Sequence, residues 1–407
     1  MKNLIVICFG LGLMILSMMG VAQTAYITNS NDNTVSIINV STNTVVATIP
    51  VGSLPYGVSV NHDGNKVYVT NNYDSTVSVI NTATNNVVAT IHVGYSPRGV
   101  AVSPDETKIF VANEGSNTLS IINTSTNTVS STISFGVNPY GVCVSPDGTR
   151  VYVTNWDDSV RVLNTLTNTV SNTISVGSTP FGICVSPDGS KVYVANSGDT
   201  TVSVINTSTN IVTSTITVGS FPFGITISPD GTRVYVANLG SNSVSVINTT
   251  TNIVSDTIVG TSGPVGISVT PDGSKVYVVN NLGTGTVNAI NTTTNAVLDT
   301  IHVGVSPIAF GNFISSSNVG IPSLGNETPI LSLYPNPNNG IFTLHSKTPI
   351  LNSQLIITDV LGREVYHQLI NQSTQATINI SKHPNGVYFY QLTDEKGSVR
   401  GKVVKTN

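Results

Sequence analysis

The sequence PYGVCVSPDGTRVYVTN, from Pro139 to Asn155, contains two short apolar strands and the turn that joins them. The first strand ends at Val144, residues 145–148 form the turn, and the second strand begins at Val151. In such a turn proline presets the backbone, aspartate bonds back to the turn amides, and glycine takes a positive φ. The same turn recurs at residues 103–105, 186–189, 228–231 and 270–273, with a looser copy at 61–64. A recurring strand–turn–strand unit predicts a repeat architecture.

The period of the repeat predicts the fold. An aromatic residue starts the second strand of each unit, at Tyr26, Tyr68, Phe110, Tyr152, Tyr193, Tyr235 and Tyr277, a spacing of 41 or 42 residues. Each unit contains four short alternating segments joined by Asn, Gly and Pro turns, which is typical of a β-propeller blade. A β-solenoid is the alternative, but it has shorter coils. We therefore predict an all-β chain with a seven-bladed propeller of four-stranded blades.

The two ends of the predicted ring meet in one blade. The last inner strand, residues 307–313, has no partner strands after it, and the strands of residues 26–50 have no inner strand before them. We expect the C-terminal strand to close the ring on the N-terminal strands, because closure removes an open sheet edge.

Composition changes along the chain predict four segments. Residues 1–22 resemble a secretory signal peptide, with Lys2 before an apolar run and Gly20 and Ala22 before a cleavage point at Gln23. The propeller spans 23–314, a Ser/Asn/Gly/Pro-rich linker spans 315–329, and alternating strands over 330–407 predict a small β-sandwich. No integral membrane span is expected, because the apolar run of the leader is short.

Charge and cysteine usage exclude several classes of function. Charged residues make up 9% of the chain, and residues 23–325 contain eight Lys or Arg against fifteen Asp or Glu. The absence of a basic patch argues against nucleic-acid binding. Six basic residues each follow a turn aspartate by three positions, and we expect local pairs there. Cys143 and Cys184 occupy equivalent positions of neighbouring repeats, where we expect them reduced and buried.

Motifs of catalysis and metal binding are missing from the sequence. It contains no nucleophile elbow, phosphate loop, HExxH or paired CxxC. His92 and His302 fill equivalent strand positions and are expected to face solvent. Asp157 and Asp158 read as an ordinary loop, because calcium-type ligand spacing does not follow. We predict neither a metal nor a cofactor.

Sequence variety concentrates at one end of the ring. Because strands alternate in direction, the loops after the second and fourth strands share one end, while the repeated turns share the other. The candidate ligand-binding residues at the variable end are Tyr56, Arg98, Tyr140, Trp156, Phe181, Phe223 and Glu114. Aromatic and acidic groups with one arginine suit a glycan, a cationic peptide or a protein surface. The alternative is that the aromatic residues only plug the channel mouth.

The repeat resembles the YVTN family of β-propellers, which occurs in bacterial and archaeal surface proteins. The resemblance rests on Tyr68-Val69-Thr70-Asn71, on its copy at residues 152–155, and on the Val-Ile-Asn-Thr and Ser-Pro-Asp-Gly segments. It departs from the family at Asn206, where the family often has aspartate. The resemblance implies the fold, but not an activity, because propellers support many functions.

The C-terminal segment resembles the sorting domain of the Bacteroidetes type IX secretion system. The matching residues are Pro335, Asn336, Pro337, Gly340, Asp359, Gly362, Gly386, Tyr388 and Lys402. The resemblance implies that the type IX secretion machinery is a partner. It also implies export across the outer membrane, tail removal, and release or attachment at the cell surface.

The sequence thus favours a secreted or cell-surface, non-enzymatic binding or adhesion propeller, with a surface glycan, peptide or protein ligand at the variable end. One alternative is a propeller enzyme such as a lactonase or lyase, for which only Arg98 and Glu114 are available. The other is a structural surface-coat protein.

Overall fold

The computed structural model describes residues 23–315, 332–334, 339–350, 352–359, 363–394 and 397–405. The chain divides into two compact units, the first ending at Asn318 and the second beginning at Val319. The predicted leader lies outside the described residues, as does most of the predicted linker. The limits of the leader and linker stay predictions.

Residues 23–315 form seven antiparallel sheets, which we number as blades 1 to 7 in chain order. Blade 1 contains β1 (Thr24–Asn29), β2 (Thr34–Asn39) and β3 (Thr44–Pro50). Blade 2 contains β4 (Pro55–Val60), β5 (Lys66–Asn71), β6 (Thr76–Asn81) and β7 (Asn86–His92). Blade 3 contains β8 (Pro97–Val102), β9 (Lys108–Asn113), β10 (Thr118–Asn123) and β11 (Thr128–Ser134), with a 3₁₀ turn at Glu114–Ser116.

The remaining blades repeat the four-stranded pattern. Blade 4 contains β12 (Pro139–Val144), β13 (Arg150–Asn155), β14 (Ser159–Asn164) and β15 (Thr169–Ser175). Blade 5 contains β16 (Pro180–Val185), β17 (Lys191–Asn196), β18 (Thr201–Asn206) and β19 (Ile211–Thr217). Blade 6 contains β20 (Pro222–Ile227), β21 (Arg233–Asn238), β22 (Ser243–Asn248) and β23 (Ile253–Val259). Blade 7 contains β24 (Pro264–Val269), β25 (Lys275–Asn280), β26 (Thr286–Asn291) and β27 (Val297–His302). The all-β propeller predicted from the sequence is confirmed.

The core lies between consecutive blades. Val142 and Val144 of β12 pack towards blade 3, whereas Cys143 packs with Tyr152 and the strands of blade 5. Alternate side chains of one strand therefore contact different neighbours, as the alternation in the sequence predicts. Tyr152 is 1% exposed, and its equivalents in the other repeats are buried as well.

Both cysteines of the propeller are free thiols, as expected, but they are only half-buried. Burial nevertheless raises the pKa of Cys143 and of Cys184, so both thiols are protonated at neutral pH.

The repeated turn is held by its own side chains. Ser145 Oγ donates to Asp147 Oδ1 at 2.5 Å, and the same carboxylate oxygen accepts from the Thr149 amide at 3.0 Å. Gly148 takes a φ of 71°. The turn chemistry predicted from proline, aspartate and glycine is therefore present.

The basic residue that follows the turn contacts the next blade in five of the six copies, Lys66 being the exception among the described residues. Lys108 Nζ donates to the Thr165 carbonyl of blade 4 at 3.2 Å, and Lys191 Nζ donates to the Thr249 carbonyl of blade 6 at 3.0 Å. Arg150 and Arg233 make the equivalent bond. The predicted local ion pairs do not form among the described residues, because these long side chains lie across the blade interface and reach a carbonyl there.

The ring closes through the segment 307–315. Lys275 of blade 7 donates to the Val40 carbonyl of blade 1 at 2.8 Å, which continues the series of interblade contacts to the first blade. The Tyr26 amide donates to the Phe313 carbonyl at 2.9 Å, and the Ile308 amide donates to the Thr28 carbonyl at 3.0 Å. The closing segment thus occupies the inner edge of β1, but through isolated bridges and not as a regular fourth strand.

The C-terminal unit contains two antiparallel sheets. One has β28 (Ser332–Tyr334), β29 (Ile341–Ile350) and β32 (Ser373–Asn379). The other has β30 (Ser353–Thr358), β31 (Glu364–Ile370), β33 (Gly386–Asp394) and β34 (Gly397–Lys405). Phe342 and Leu344 of the first sheet share a buried cluster with Leu355 and Ile357 of the second. The predicted small β domain is present.

Candidate functional site

The inner strand of blades 2 to 7 begins with a proline, a variable residue and a glycine, and the variable residue lies at the channel mouth. A Cβ on Gly141 would lie 2.2 Å from the carbonyl oxygen of Phe181, and one on Gly57 would lie 2.1 Å from that of Arg98. No side chain fits at such a distance, so glycine lets neighbouring inner strands approach closely. The close approach brings the variable residues of different blades together at the axis.

Five aromatic rings close the mouth, and we call them the aromatic plug: Tyr56, Tyr140, Phe181, Phe223 and Phe310. Each is less than 9% exposed. The ring of Tyr140 lies 4.5 Å from that of Phe181, 5.5 Å from that of Phe310 and 5.9 Å from that of Tyr56, measured between centroids. Four of the predicted ligand-binding residues therefore contact one another more than solvent.

Phe310 belongs to the plug and was not among the predicted site residues. It lies on the closing segment, where Ala309 and Gly311 have φ values of 45° and 126°. These conformations bend the segment inwards, and the Val58 amide then donates to the Phe310 carbonyl at 3.0 Å. The sequence carried a signal, because the residue before glycine stands three positions after Pro307, whereas in the other repeats the residue before glycine stands one position after proline.

Arg98 is the charged member of the mouth. Its guanidinium lies 4.5 Å from the ring centroid of Tyr56 and 5.5 Å from that of Tyr140, within cation–π distance. Arg98 Nε also donates to Glu114 Oε2 at 2.5 Å. The predicted residues Arg98 and Glu114 thus neutralise each other at the edge of the plug.

The plug hydroxyls are bonded to each other and are neutral. Tyr56 and Tyr140 share a hydrogen bond between their hydroxyl groups. Burial raises the pKa of Tyr140 well above its usual value and also raises that of Tyr56. Neither phenol is therefore poised to act as a base at neutral pH.

Below the plug the channel is narrow. A cavity of about 30 Å³ is lined by the inner-strand glycines and by residues such as Val142, Ile183 and Phe310. This volume holds roughly one or two water molecules. A ligand of ordinary size therefore has to bind outside the plug.

The carboxylates of the variable end are occupied by the backbone of neighbouring loops. Asp74 Oδ2 accepts from the Ser53 amide at 2.6 Å, and Asp158 Oδ1 accepts from the Thr179 amide at 2.9 Å. Asp32 binds the Val305 amide at 2.7 Å, and Asp199 binds the Ser178 amide. Asp157 forms an ion pair with Arg161 at 2.6 Å. These acids hold the loops in place through hydrogen bonds, and of the described acids at this end only Asp157 and Glu114 are neutralised by an ion pair.

We call the end of the ring that carries residues 51–54, 72–75, 93–96, 135–138, 156–158 and 218–221, with their equivalents, the variable face. Its exposed aromatic residues are Tyr73, Tyr95, Trp156 and Phe221, which are 77%, 72%, 44% and 53% exposed. Trp156 also packs edge-on against Phe181 of the plug, with ring centroids 6.2 Å apart. Of the predicted ligand-binding residues, Trp156 is the one that is both aromatic and exposed.

Family models match both units of the chain. A YNCE-like beta-propeller model matches residues 2–104, 64–156 and 189–291, which together exceed half of the chain. The chain belongs to the YNCE-like β-propeller family. A second model, the secretion system C-terminal sorting domain, matches residues 332–406. This sorting domain indicates export by type IX secretion to the cell surface or the extracellular space.

Solved structures with the same fold come from unrelated contexts. A functionally unknown protein from Desulfotomaculum acetoxidans DSM 771 is 18% identical, with a TM-score of 0.65, over 73% of this chain and 100% of that one. Kuenenia stuttgartiensis hydrazine synthase is 18% identical, with a TM-score of 0.57, over 65% of this chain and 96% of that one. Both likenesses concern the fold alone. A comparison with curated proteins gave no match.

Two loops of this YNCE-like propeller carry bulky residues in an unfavourable conformation. The residue before each inner-strand proline has a positive φ, for which glycine or asparagine is best suited. Leu54 and Phe221 occupy this position with φ values of 51° and 53°. Their side chains are 37% and 53% exposed. The positive φ recurs at this position in every repeat, Thr179 included, so the conformation belongs to the loop and only the bulk of Leu54 and Phe221 is unusual.

Metal ligands do not converge in the described part of the chain: no group of three His, Cys, Asp or Glu is close enough to hold an ion there. His92 and His302 are exposed, as expected for their strand positions. Across the same described residues, no helix is both long and apolar enough to cross a membrane.

The structure describes some of the predicted sorting residues. Arg363 Nε binds Asp359 Oδ2 at 2.7 Å, and the Tyr388 hydroxyl donates to the Pro384 carbonyl at 2.5 Å. Gly340 has a φ of 101° and lies against Ser381, and Gly386 begins β33. Lys402 lies on β34. Pro335, Asn336, Pro337 and Gly362 lie outside the described residues.

Proposed function

We propose that the chain is a secreted, non-enzymatic binding protein that adheres to a partner through its variable face. The observation that carries the proposal is the position of Tyr73, Tyr95, Trp156 and Phe221, which are exposed on one face of the ring. Exposed aromatic side chains on rigid loops are characteristic of binding surfaces, because they bury much area at little entropic cost.

Most polar side chains of the variable face are already engaged in bonds within the molecule. Its loop carboxylates accept hydrogen bonds from neighbouring amides, and Arg98 pairs with Glu114. A cationic peptide would have to compete with these internal bonds. Among the ligands that the sequence suggested, a glycan or a neutral protein surface fits better.

The arrangement of the mouth argues against the enzyme alternative. A lactonase or lyase needs convergent polar groups that are free to act on a substrate. Arg98 and Glu114 instead bind each other, and the phenols of Tyr56 and Tyr140 are buried in the plug.

The outer strands argue against the surface-coat alternative. Each outer strand pairs with its neighbour through a β-bulge, and a bulge discourages edge-to-edge assembly of sheets.

The proposal is tested by adhesion of the secreted protein to outer-membrane fragments and by a glycan array. The double variant Tyr95→Ser/Trp156→Ser should bind at least about tenfold more weakly, since aromatic anchors carry most of the energy of an interface. Leu166→Ser is the matched control, because Leu166 is 91% exposed but lies on the opposite end of the ring. Equal adhesion by the double variant and the wild type would refute the proposal.

Two further measurements separate the alternatives. Concentration-dependent assembly of the secreted protein in sedimentation would favour a surface coat, and turnover of a lactone or polysaccharide would favour an enzyme.

We also propose that export removes the predicted leader and about residues 325–407, which contain the sorting domain. Intact-mass analysis tests this, and a secreted protein that retains residues 332–406 would contradict tail cleavage.

A further inference from the structure

A groove lies at the periphery of the variable face between blades 1 and 2. Its volume is about 470 Å³. This is within the usual range of small-molecule sites, roughly 300–1,000 Å³. Val51 and Val87 supply apolar surface, while Asp74, Ser78, Thr90 and His92 supply polar groups. The groove therefore combines an apolar wall with several hydrogen-bonding side chains.

In blade 4 the equivalent space is filled by a side chain. Arg161 stands in blade 4 where Ser78 stands in blade 2, and each follows an aspartate by four residues. Arg161 Nη2 binds Asp157 Oδ2 at 2.6 Å, and the guanidinium lies against Gly136, the equivalent of Gly52. The small side chain of Ser78 leaves the corresponding space in blade 2 unfilled. Serine also stands at this position in blades 1, 3, 5 and 6, so the groove of blade 2 is distinguished by its whole lining and not by Ser78 alone.

The polar groups of the groove retain hydrogen-bonding capacity. Ser78 Oγ accepts from Asn71 Nδ2 at 2.9 Å and keeps its own hydroxyl proton to donate. Asp74 uses Oδ2 for the Ser53 amide, which leaves Oδ1 as an acceptor. The side chains of Thr90 and His92 are exposed and make no hydrogen bond within the part of the chain that the structure describes.

This combination matches one class of ligand. No Lys or Arg lines the groove, so an anion would have no counter-charge there. Donors, acceptors and apolar wall are interspersed, as the hydroxyls and C–H faces of a sugar ring require. Tyr73 is adjacent to Asp74 and 77% exposed, so its ring is available to contact the next residue of a chain.

We propose that the groove between blades 1 and 2 binds an uncharged sugar residue. The proposal deepens the proposed function and rests on it for one point, that the variable face meets a surface ligand. It gives that ligand a chemical class and places a specificity site beside Tyr73.

The test is saturation-transfer NMR of the secreted protein with glucose, galactose, mannose and N-acetylglucosamine. Glucuronate and glucosamine serve as the anionic and cationic probes. Ser78→Arg should fill the groove as Arg161 does in blade 4 and weaken sugar binding by about tenfold or more, a change of roughly 1.4 kcal/mol. Ser203→Arg is the matched control, because Asp199 precedes Ser203 by four residues in blade 5 and the groove of blade 2 is untouched.

Thr90→Tyr is the second blocking variant. It places a bulky side chain in the groove from an exposed strand position, so it reports on the site if Ser78→Arg fails to fold. Loss of the sugar signal in a folded blocking variant, with the signal retained in Ser203→Arg, supports the proposal.

Three results would overturn it: unchanged sugar binding in a folded blocking variant, no signal from any of the four neutral sugars, or binding of a charged probe alone. The double variant Tyr95→Ser/Trp156→Ser separates the two proposals. It should lose adhesion while keeping the sugar signal of the groove.

Discussion

Phe221 adopts the same left-handed backbone conformation as Gly263, the residue at the equivalent position of the next blade. Their φ values are 53° and 61°. Asn138 fills the position two blades earlier with a φ of 47°. Glycine and asparagine tolerate this conformation, whereas phenylalanine is strained in it. The exposed ring of Phe221 is thus maintained against a local cost in stability.

Replacing Phe221 should therefore stabilise the propeller. We expect Phe221→Asn to raise the free energy of unfolding by about 1 kcal/mol, because it relieves left-handed strain. Chemical denaturation measures the change. The reverse substitution, Asn138→Phe, is the control and should destabilise by a similar amount. A less stable Phe221→Asn variant would show that the aromatic side chain of Phe221 stabilises the propeller by packing.

Removing a ring from the plug should be costly. Phe310→Ala should lower the free energy of unfolding by about 3–5 kcal/mol, since Phe310 is 5% exposed and contacts three other aromatic rings. Trp156→Ala is the comparison and should cost much less, because Trp156 is 44% exposed. Denaturant unfolding of both variants tests this prediction. Equal losses of unfolding free energy would contradict the role of Phe310 in the aromatic plug.

Replacing Lys275 should destabilise the propeller, because its side chain bonds across the interface between blades 7 and 1. Lys275→Met removes the charged donor to the Val40 carbonyl but leaves the Tyr277 hydroxyl, which donates to the same oxygen at 3.2 Å. We therefore expect a loss of about 1.5 kcal/mol, the lower end of the range for a bond to a charged group. Lys66→Met is the matched control, as Lys66 follows its turn aspartate by the same spacing but makes no such bond among the described residues. We expect its effect to stay within about 0.5 kcal/mol. Similar melting of the two variants would count against the interblade contact.

The repeated turns predict sensitivity to acid. The hydrogen bond from Ser186 lowers the pKa of Asp188 from 3.8 to about 2. Ionised Asp188 therefore stabilises the fold above about pH 4, and this contribution is lost as the pH falls from 4 towards 2. The same serine or threonine contact lowers the pKa of Asp147 and Asp230. Asp188→Asn and Ser186→Ala should each flatten the fall in melting temperature over this range, and an unchanged profile in both would contradict the assignment.

Deleting the closing segment should open the ring. A chain that ends at Gly304 lacks the partners of β1 and β4, and exposed sheet edges invite association. We expect a lower melting temperature and oligomers in light scattering, compared with a chain that ends at Ser315. A truncated protein that remains monomeric with unchanged melting would refute the role of the segment.

Local patterns were sufficient to predict the blades and turns. The spacing of Tyr68 and its equivalents defines the repeat, and the contacts of Ser145, Asp147 and Gly148 lie within a few residues of each other. Alternation in β12 likewise predicts which neighbour each side chain meets. These features depend on short-range chemistry, which a single sequence contains.

Features that depend on distant residues were not predictable in the same way. Tyr56 and Tyr73 are both aromatic residues at the variable end, yet one is 7% and the other 77% exposed. Phe310, which lies near the C-terminal end of the propeller sequence, contacts Tyr56 and completes the aromatic plug around it. The sequence around Tyr56 gives no sign of this distant partner. The basic side chains were expected to pair locally, and the proximity of the next blade gave them a different partner.

The position of the closing segment in the sequence also determines when the ring can close during synthesis of the chain. Ala25 pairs with Ile314, so the inner edge of β1 stays unpaired until nearly the whole propeller has been made. Contacts of such sequence separation are expected to form late and slowly. Because the sorting domain begins after residue 331, every ring residue precedes it along the chain. The closing segment is therefore synthesised before the sorting domain. When the sorting domain becomes available to the secretion machinery, the propeller already contains every strand that its ring needs.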